Sequence, residues 1–285
     1  MAITIIFESD EWSNRYLRDY IAGKGYEVNF INFEEKDFDD NWLNGTDLVV
    51  NRIFPSSYFR NHKKTYFQGY ELMNSLKTGE VPMINSYQAF LHDFDKALVC
   101  RDLAIHGINV PQVYCSSTEF LISSIKFPCI VKPNRGGRST YTYVANNQKE
   151  LEGIMKTLPA VEFIFQEYIK SIDNYTLRIE VIDRNVFSAV KRSMDESGIS
   201  SYHRGAEYEH INILDDEISS LVIKVLDVLD MKMGGIDVIV SETGPYIIDV
   251  NATSNYSKNF VDFLGKNPLD KMGDLIIEEY RKLRA

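Results

Sequence analysis

The sequence predicts an α/β fold in which a small βαβ domain on a parallel sheet precedes a larger unit built around an antiparallel sheet. Three observations predict it. Strand-like apolar runs alternate with a helical pattern over the first ~95 residues, the signature of parallel strands with crossovers. Further on, "LRIEVIDRN" and "VFSAVKRS" are joined by a tight turn at Asp183, Arg184 and Asn185. Lastly, "MGGIDVIVS" and "YIIDVNA" flank Glu242, Thr243, Gly244 and Pro245, a turn-rich connection that makes them a hairpin.

The elements follow in order. "AITIIFES" is a buried strand, and "SNRYLRDYIAGKG" is a helix with Ser13 available as its N-cap and glycines at its end. "YEVNFINF" and "DLVVNRI" are the second and third strands, and "VPMINS" closes the first unit after a loop and a helix. A new unit starts near Asp93, with a helix whose apolar positions are Ala97, Leu98, Leu103 and Ile105 and which ends at Gly107. "FPCIVKP" and "EFIFQEYI" are strands. In "DDEISSLVIKVLDVLDM", Ile218, Leu221, Val222, Val225 and Leu229 share one helical face, so this helix packs on a sheet. The boundaries expected from these shifts are 1–92, 93–168 and 169–285.

With 285 residues, 44% apolar and 12% aromatic, the chain can bury a substantial core. Its 31 basic and 41 acidic residues give a net charge of -10, which argues against nonspecific nucleic-acid binding while leaving room for a basic pocket. Cys100, Cys115 and Cys129 are odd in number and form no CxxC pair, so reduced thiols are expected rather than a disulfide framework or a zinc cluster. No basic region precedes the short apolar run at the N-terminus, and no stretch approaches the ~20 apolar residues of a membrane span. A cytoplasmic location is the expectation.

The chemistry begins with "YIIDVNATSN". Side chains two apart on a strand share a face, so Asp249 and Asn251 project together, and the hairpin folds Asp237 to within about one residue of Asp249. Alone, the pattern fits an Asx turn at a strand end equally well. Together, the three residues supply hard oxygen ligands without imidazole or thiolate, a set suited to magnesium beside substrate phosphates. Lys96 opens the central helix. Lys132 ends an apolar strand just before "NRGGRST", a glycine-rich turn whose amides suit phosphate oxygens, although it is not a Walker motif. "FQEYI" has a composition suited to an adenine edge and ribose hydroxyls, or to an ordinary edge strand. Arg178, Lys191, Arg192 and Arg204 are candidate anion partners or halves of surface ion pairs.

The order and spacing of "DKALVCRDLAIHGINVP", "FPCIVKPNRGGRST", "IFQEYI", "YTLRIEVI", "SAVKRS", "SSYHRGAEYE", "MGGIDVIVS" and "YIIDVNATS" resemble the ATP-grasp superfamily, in its RimK-like branch of carboxylate-amine ligases. The resemblance covers residues 93–262. It implies an ATP-grasp fold, two α+β subdomains clasping ATP, with the βαβ domain in front. It also implies that Lys96 and Lys132 contact nucleotide phosphates and that Gln166, Glu167, Tyr168 and Ile169 bind adenine. Asp237, Asp249 and Asn251 would hold Mg2+, with Mn2+ as an alternative. Arg178 and Lys191 would face phosphates or an acyl phosphate, and Arg204 the substrate carboxylate. Thr176 stands where close relatives carry an acidic residue, so the ribose contact either passes to Asp173 or is lost. Thr253, Ser254 and Asn255 replace the small residue, Pro and Gly that often follow the metal-binding motif.

The expected reaction is ATP-dependent ligation of a small-molecule or peptide carboxylate to an amine through an acyl phosphate, releasing ADP and phosphate. A ligase acting on a peptide or carrier protein, an ATP-grasp kinase and a nonenzymatic ATP-binding regulator are the alternatives. Neither nucleic acid nor membrane is an expected partner, and self-association into a homo-oligomer stays open.

Overall fold

The structure, a computed structural model, describes residues 2–35, 42–76, 81–200 and 205–285. The opening run has no polar alternation, which suits a strand covered on both faces, and Ala2–Phe7 forms β1, buried along its whole length. After it come α1 (Trp12–Gly23), β2 (Val28–Asn32), β3 (Thr46–Arg52), α2 (Lys63–Leu76) and β4 (Met83–Ile84). These strands pair in parallel in the order β2-β1-β3-β4, as the βαβ pattern requires. Ser13 is not the N-cap of α1. The cap position is Glu11, and Ser13 lies within the first turn, donating from Oγ to Asn255 Oδ1 at 2.6 Å. A distant partner has taken the hydroxyl from local capping.

Two short helices lead into the next unit, α3 (Tyr87–Phe94) and α4 (Lys96–Ile105). Asp95 caps α4 by accepting from the Leu98 amide at 2.9 Å. The buried stripe of α4 is Val99, Cys100 and Leu103; Ile105, expected to be inward, is 73% exposed. A four-stranded antiparallel sheet follows, made of β5 (Val113–Ser116), β6 (Cys129–Pro133), β7 (Tyr143–Ala145) and β8 (Phe163–Glu167), with α5 (Gln148–Met155) between the last two. Its order is β5-β8-β6-β7.

The third sheet holds β9 (Tyr175–Ile182), β10 (Asn185–Ser193), β11 (Tyr208–Ile211), β12 (Met233–Ser241) and β13 (Gly244–Asn251), with α6 (Asp216–Leu229) before β12. The order is β11-β10-β9-β12-β13, all antiparallel. Asp183 and Arg184 both take positive φ, 50° and 60°, the backbone a two-residue hairpin turn needs. Asp215 caps α6 through the amides of Glu217 and Ile218, and Val222, Val225 and Leu229 then pack on Leu177, Ile179, Val181, Ile236 and Val238. One face of the sheet is thereby committed to core, which leaves the other for chemistry. Finally, α7 (Lys258–Leu264) leads to α8 (Pro268–Lys282), which returns to the first sheet: Leu269, Met272 and Ile276 share a core with Ile3, Ile5 and Leu17.

Candidate active site

Strand parity assembles the site. Leu177, Ile179 and Val181 face α6, so Thr176, Arg178 and Glu180 project from the opposite side of β9. In antiparallel strands directly opposed residues share a face, and the register sets Asp237 opposite Arg178 and Asp249 opposite Asp237. The hairpin thus makes the Asp237/Asp249 pair that the sequence predicts. A bulge just beyond, where Val238 pairs with Ile247, leaves Ile248 as the extra residue of β13.

Cations occupy both carboxylates. Lys96 Nζ lies 2.7 Å from Asp249 Oδ1; Arg178 Nη1 is 3.3 Å from Asp237 Oδ1 and Arg192 Nη2 is 2.8 Å from Asp237 Oδ2. Lys132 Nζ donates to the Ile248 carbonyl at 3.2 Å. Burial pushes the Asp237 carboxyl upward, but Arg192 and Arg178 outweigh it and hold the group below the usual range. Burial likewise opposes the Lys96 ammonium, yet Asp249 lifts it above its ordinary value. At Lys132 burial outweighs the pull of Asp249 and lowers the ammonium. Nearby, burial raises the Asp93 carboxyl to about 7 against the pull of Lys96.

The residues fit a hard divalent cation. Two opposed carboxylates and the Asn251 amide two positions along β13 are oxygen donors of the kind Mg2+ takes, and the side-chain cations resting on both carboxylates show that the position attracts positive charge. Among the described residues, no three His, Cys, Asp or Glu side chains gather closely enough to hold a metal.

Two cavities meet at this point. The first spans about 850 Å3, part of it open to solvent, and is lined by Lys96, Lys132, the segment Gln166–Ile169, Asp237 and Asp249, with Ile130, Ile239 and Ile248 supplying an apolar wall. The second spans about 1160 Å3, also partly open to solvent, and is lined by Arg138, Arg178, Asp93, Asn251, Tyr208 and Phe260, with Phe54 and Ser56 contributed by the first unit. Arg192, Gly136 and Gly137 line both. The glycine pair packs tightly there: a Cβ on Gly136 would approach the Phe59 ring to 3.0 Å.

Of the residues singled out from the sequence, Lys96, Lys132, Gln166, Glu167, Tyr168, Ile169, Asp237 and Asp249 line the first cavity, and Arg178 and Asn251 line the second. The Gln166 side chain is buried, with Nε2 3.1 Å from Cys100 Sγ, and Glu167 Oε2 accepts from the Gln112 amide at 3.1 Å. Asp173 lies in an exposed loop and lines neither cavity. Lys191 pairs with Leu177, on the face turned toward α6, and its Nζ sits 4.6 Å from the centre of the Tyr175 ring. Its neighbour Arg192, opposite Thr176, has the parity that reaches the site. Arg204 lies outside the described residues.

Sequence reasoning missed a buried network around Arg178. Its Nε donates to Glu180 Oε1 at 2.6 Å and its Nη2 to Ser254 Oγ at 3.2 Å, while Ser254 Oγ and Tyr256 OH each donate to Glu180 Oε2 at 2.8 Å. The fully buried Arg52 of β3 donates to the Ser254 carbonyl at 2.6 Å, and the Thr253 amide donates to Asp93 Oδ2 at 3.0 Å. Parity selects Glu180 two residues on, but for β10 it misleads: Ile182 opposes Asn185 across the turn, so a regular ladder would set Lys191 opposite Thr176, and the bulge between Val186 and Ser188 moves Arg192 into that place.

Residues 94–272 match the RimK-like ATP-grasp domain. A probable alpha-L-glutamate ligase of Histophilus somni (strain 2336) is 30% identical over 192 residues, 65% of this chain and 64% of that protein, so the chain spans just under two thirds of this curated relative. Two solved structures share the fold at low identity. D-alanine–D-alanine ligase from Bacillus anthracis complexed with ATP superposes with a TM-score of 0.72 at 17% identity, covering 100% of this chain and 98% of that one. A Chryseobacterium gregarium RiPP-associated ATP-grasp ligase in complex with ADP and a leader and core peptide gives 0.67 at 19% identity, covering 98% and 97%. The fold is ATP-grasp, and the chain belongs to the RimK-like ATP-grasp family.

Proposed function

We propose that the protein is an ATP-dependent carbon-nitrogen ligase: ATP phosphorylates a substrate carboxylate, an amine displaces phosphate from the acyl phosphate, and the products are an amide, ADP and phosphate. The observation that carries this reading is the junction of the two cavities beside the opposed carboxylates Asp237 and Asp249. A phosphoryl group passed from one cavity to the other would cross that junction.

The first cavity suits the nucleotide. Its apolar wall suits a base, and the half-buried Lys96 and Lys132 would meet the phosphates. The second suits the carboxylate and the amine, with Arg178 and Arg192 placed to neutralise charge that spreads during transfer. Asp237, Asp249 and Asn251 would hold Mg2+, or Mn2+ in its place; when bound, the ion neutralises charge on the phosphates. Proximity and fixed charge are then the protein's contribution, and no protein nucleophile is required. The relatives point the same way, being named ligases, and a further ATP-grasp ligase of this fold has been solved with Mg and ADP.

The division into 1–92, 93–168 and 169–285 remains part of the proposal, supported by one sheet in each segment. So does a cytoplasmic location, supported by buried free thiols at Cys100 and Cys129 and by ATP as substrate. No helix among the described residues is long and apolar enough to cross a membrane. A peptide carboxylate is the second reading of the substrate: Tyr208 and Phe260 continue from the cavity to Phe263, which is 44% exposed, as an apolar shelf longer than one amino acid.

Hydroxylamine tests the reaction. Carboxylates are first screened for stimulation of ADP release; with an active one, ATP and Mg2+ should give a hydroxamate without any natural amine, because activation precedes amide formation. A stable phosphorylated product and no hydroxamate would make the protein a kinase. No ADP release with any carboxylate would favour an ATP-binding regulator.

A further inference from the structure

We infer that Arg192 is an internal counter-ion of the metal site: it neutralises Asp237 until a divalent cation arrives, is displaced into the substrate-side cavity, and so makes metal and phosphate bind cooperatively. The inference rests on the assignment of Asp237, Asp249 and Asn251 as metal ligands.

Geometry carries it. Arg192 Nη2 lies 2.8 Å from Asp237 Oδ2, a direction a cation bound to that oxygen would share. Its Nε is buried and has no hydrogen-bond partner among the described residues, so the guanidinium is only partly satisfied where it rests. Leaving a buried donor unmade is costly, and a phosphate oxygen would supply the missing acceptor. Arg192 also borders both cavities, so a small change in its side chain exchanges one for the other. Arg178 is held differently, by Glu180 and Ser254 as well as Asp237, and can release Asp237 without losing its place.

Charge balance gives the coupling its sign. Lys96, Lys132, Arg178 and Arg192 already surround Asp237, Asp249, Glu180 and Asp93. A divalent ion entering alone meets carboxylates that side-chain cations already neutralise, whereas an ion and a phosphate entering together bring their own balance. Each should therefore raise the affinity of the other by the same factor, since linkage of two binding sites is reciprocal.

Isothermal titration of wild type and Arg192→Gln tests this with MgCl2 alone, with inorganic phosphate alone, and with phosphate at saturating Mg2+. In the wild type, Mg2+ should strengthen phosphate binding about five-fold or more, the lower end of ordinary coupling. In Arg192→Gln, Mg2+ alone should bind tighter and phosphate in the presence of Mg2+ weaker, two changes of opposite sign that a scaffold residue would not produce. Arg192→Lys should restore part of the coupling. Weakening of both ligands together, or no change in Mg2+ affinity, would overturn the inference. Should Arg192→Gln fail to fold, wild-type phosphate affinity that ignores Mg2+ would overturn it equally. ADP with Mg2+ serves as the control: a wild type that does not bind it refutes the nucleotide site itself, while binding without the Arg192 signature refutes only the counter-ion.

Discussion

The two cavities that meet at Arg192 are built on different principles. The cavity proposed for the nucleotide is walled by strands of two antiparallel sheets, with Ile169, Met194 and Ile239 forming a small apolar cluster joined by Tyr246 and Ile248. Its few cations are fixed by strand and helix positions. The cavity proposed for the substrate draws on three segments far apart in sequence: the first unit through Phe54 and Ser56, the glycine-rich loop through Arg138, and the segment after β13 through Thr253 and Asn255. Hydrogen bonds between charged groups hold it together. One cavity is thus shaped by regular secondary structure and the other by loops pinned by polar contacts.

The contrast predicts separable failures. The largest effects should come from one substitution on each side. Lys132→Met is expected to weaken ADP binding by about 10²-fold, since a buried ammonium would be lost from the phosphates, whereas Arg178→Met should leave ADP binding nearly intact and lower turnover about 10²–10³-fold, the range for removing one preorganised donor. Calorimetry and ADP release measure the two; equal loss of both functions in both variants would erase the distinction. At the boundary, Asp249→Asn should abolish the Mg2+-dependent part of ADP stabilisation, read as a melting-temperature shift. Circular dichroism should stay native, because Asp249 is a site residue and not a core residue; an unfolded variant would restore the Asx-turn reading of "DVNA".

Next in size is a pH effect in the first unit, at Glu8, whose Oε2 accepts from the amide of the cavity residue Phe54 at 3.3 Å. Burial raises the Glu8 carboxyl to about 7 although Arg60 pulls it down. Below its unfolded value both states hold the proton; between about 4.5 and 7 only the folded state does, so stability falls as pH rises and the loss is complete above 7. Glu8→Gln removes that loss, and its stability relative to wild type should be greater at pH 8 than at pH 5 by about 2 kcal/mol in denaturant melts. A difference of the opposite sign would show that the Arg60 pair dominates. The smallest effect belongs to Lys191→Ala: the lost contact with Tyr175 should cost about 0.5–1 kcal/mol and leave ADP affinity unchanged. A large fall in turnover would return Lys191 to the site.

These outcomes also measure what sequence can carry. The parallel first sheet, the β12–β13 hairpin and the Asp237/Asp249 pair were legible because strand periodicity and turn chemistry are local. A regular ladder from the tight turn at Asp183 and Arg184 would set Lys191 on the site face; the bulge between Val186 and Ser188, which strand periodicity does not announce, gives that face to Arg192. Ser13 reads as a cap from its neighbours alone; only the folded chain brings Asn255 to it. Asp93 looks like a surface carboxylate beside a helix start, and its burial follows from the Thr253 amide, 160 positions away. Thr253, Ser254 and Asn255 show the same limit. They are departures from the family pattern, yet each is tied down, to Asp93, to Arg178 and Glu180, and to Ser13.

The return of α8 to the first sheet bears on how the molecule is made. Ile3, Ile5 and Leu17 leave the ribosome early, but Leu269, Met272 and Ile276, which close their core, follow some 250 residues later. The first sheet is therefore an unfinished layer during most of translation, with apolar surface waiting for a cover that the chain has not yet delivered. At elongation rates of about 5–20 residues per second that wait lasts on the order of ten seconds or more, and it is the interval in which a chaperone would find its client.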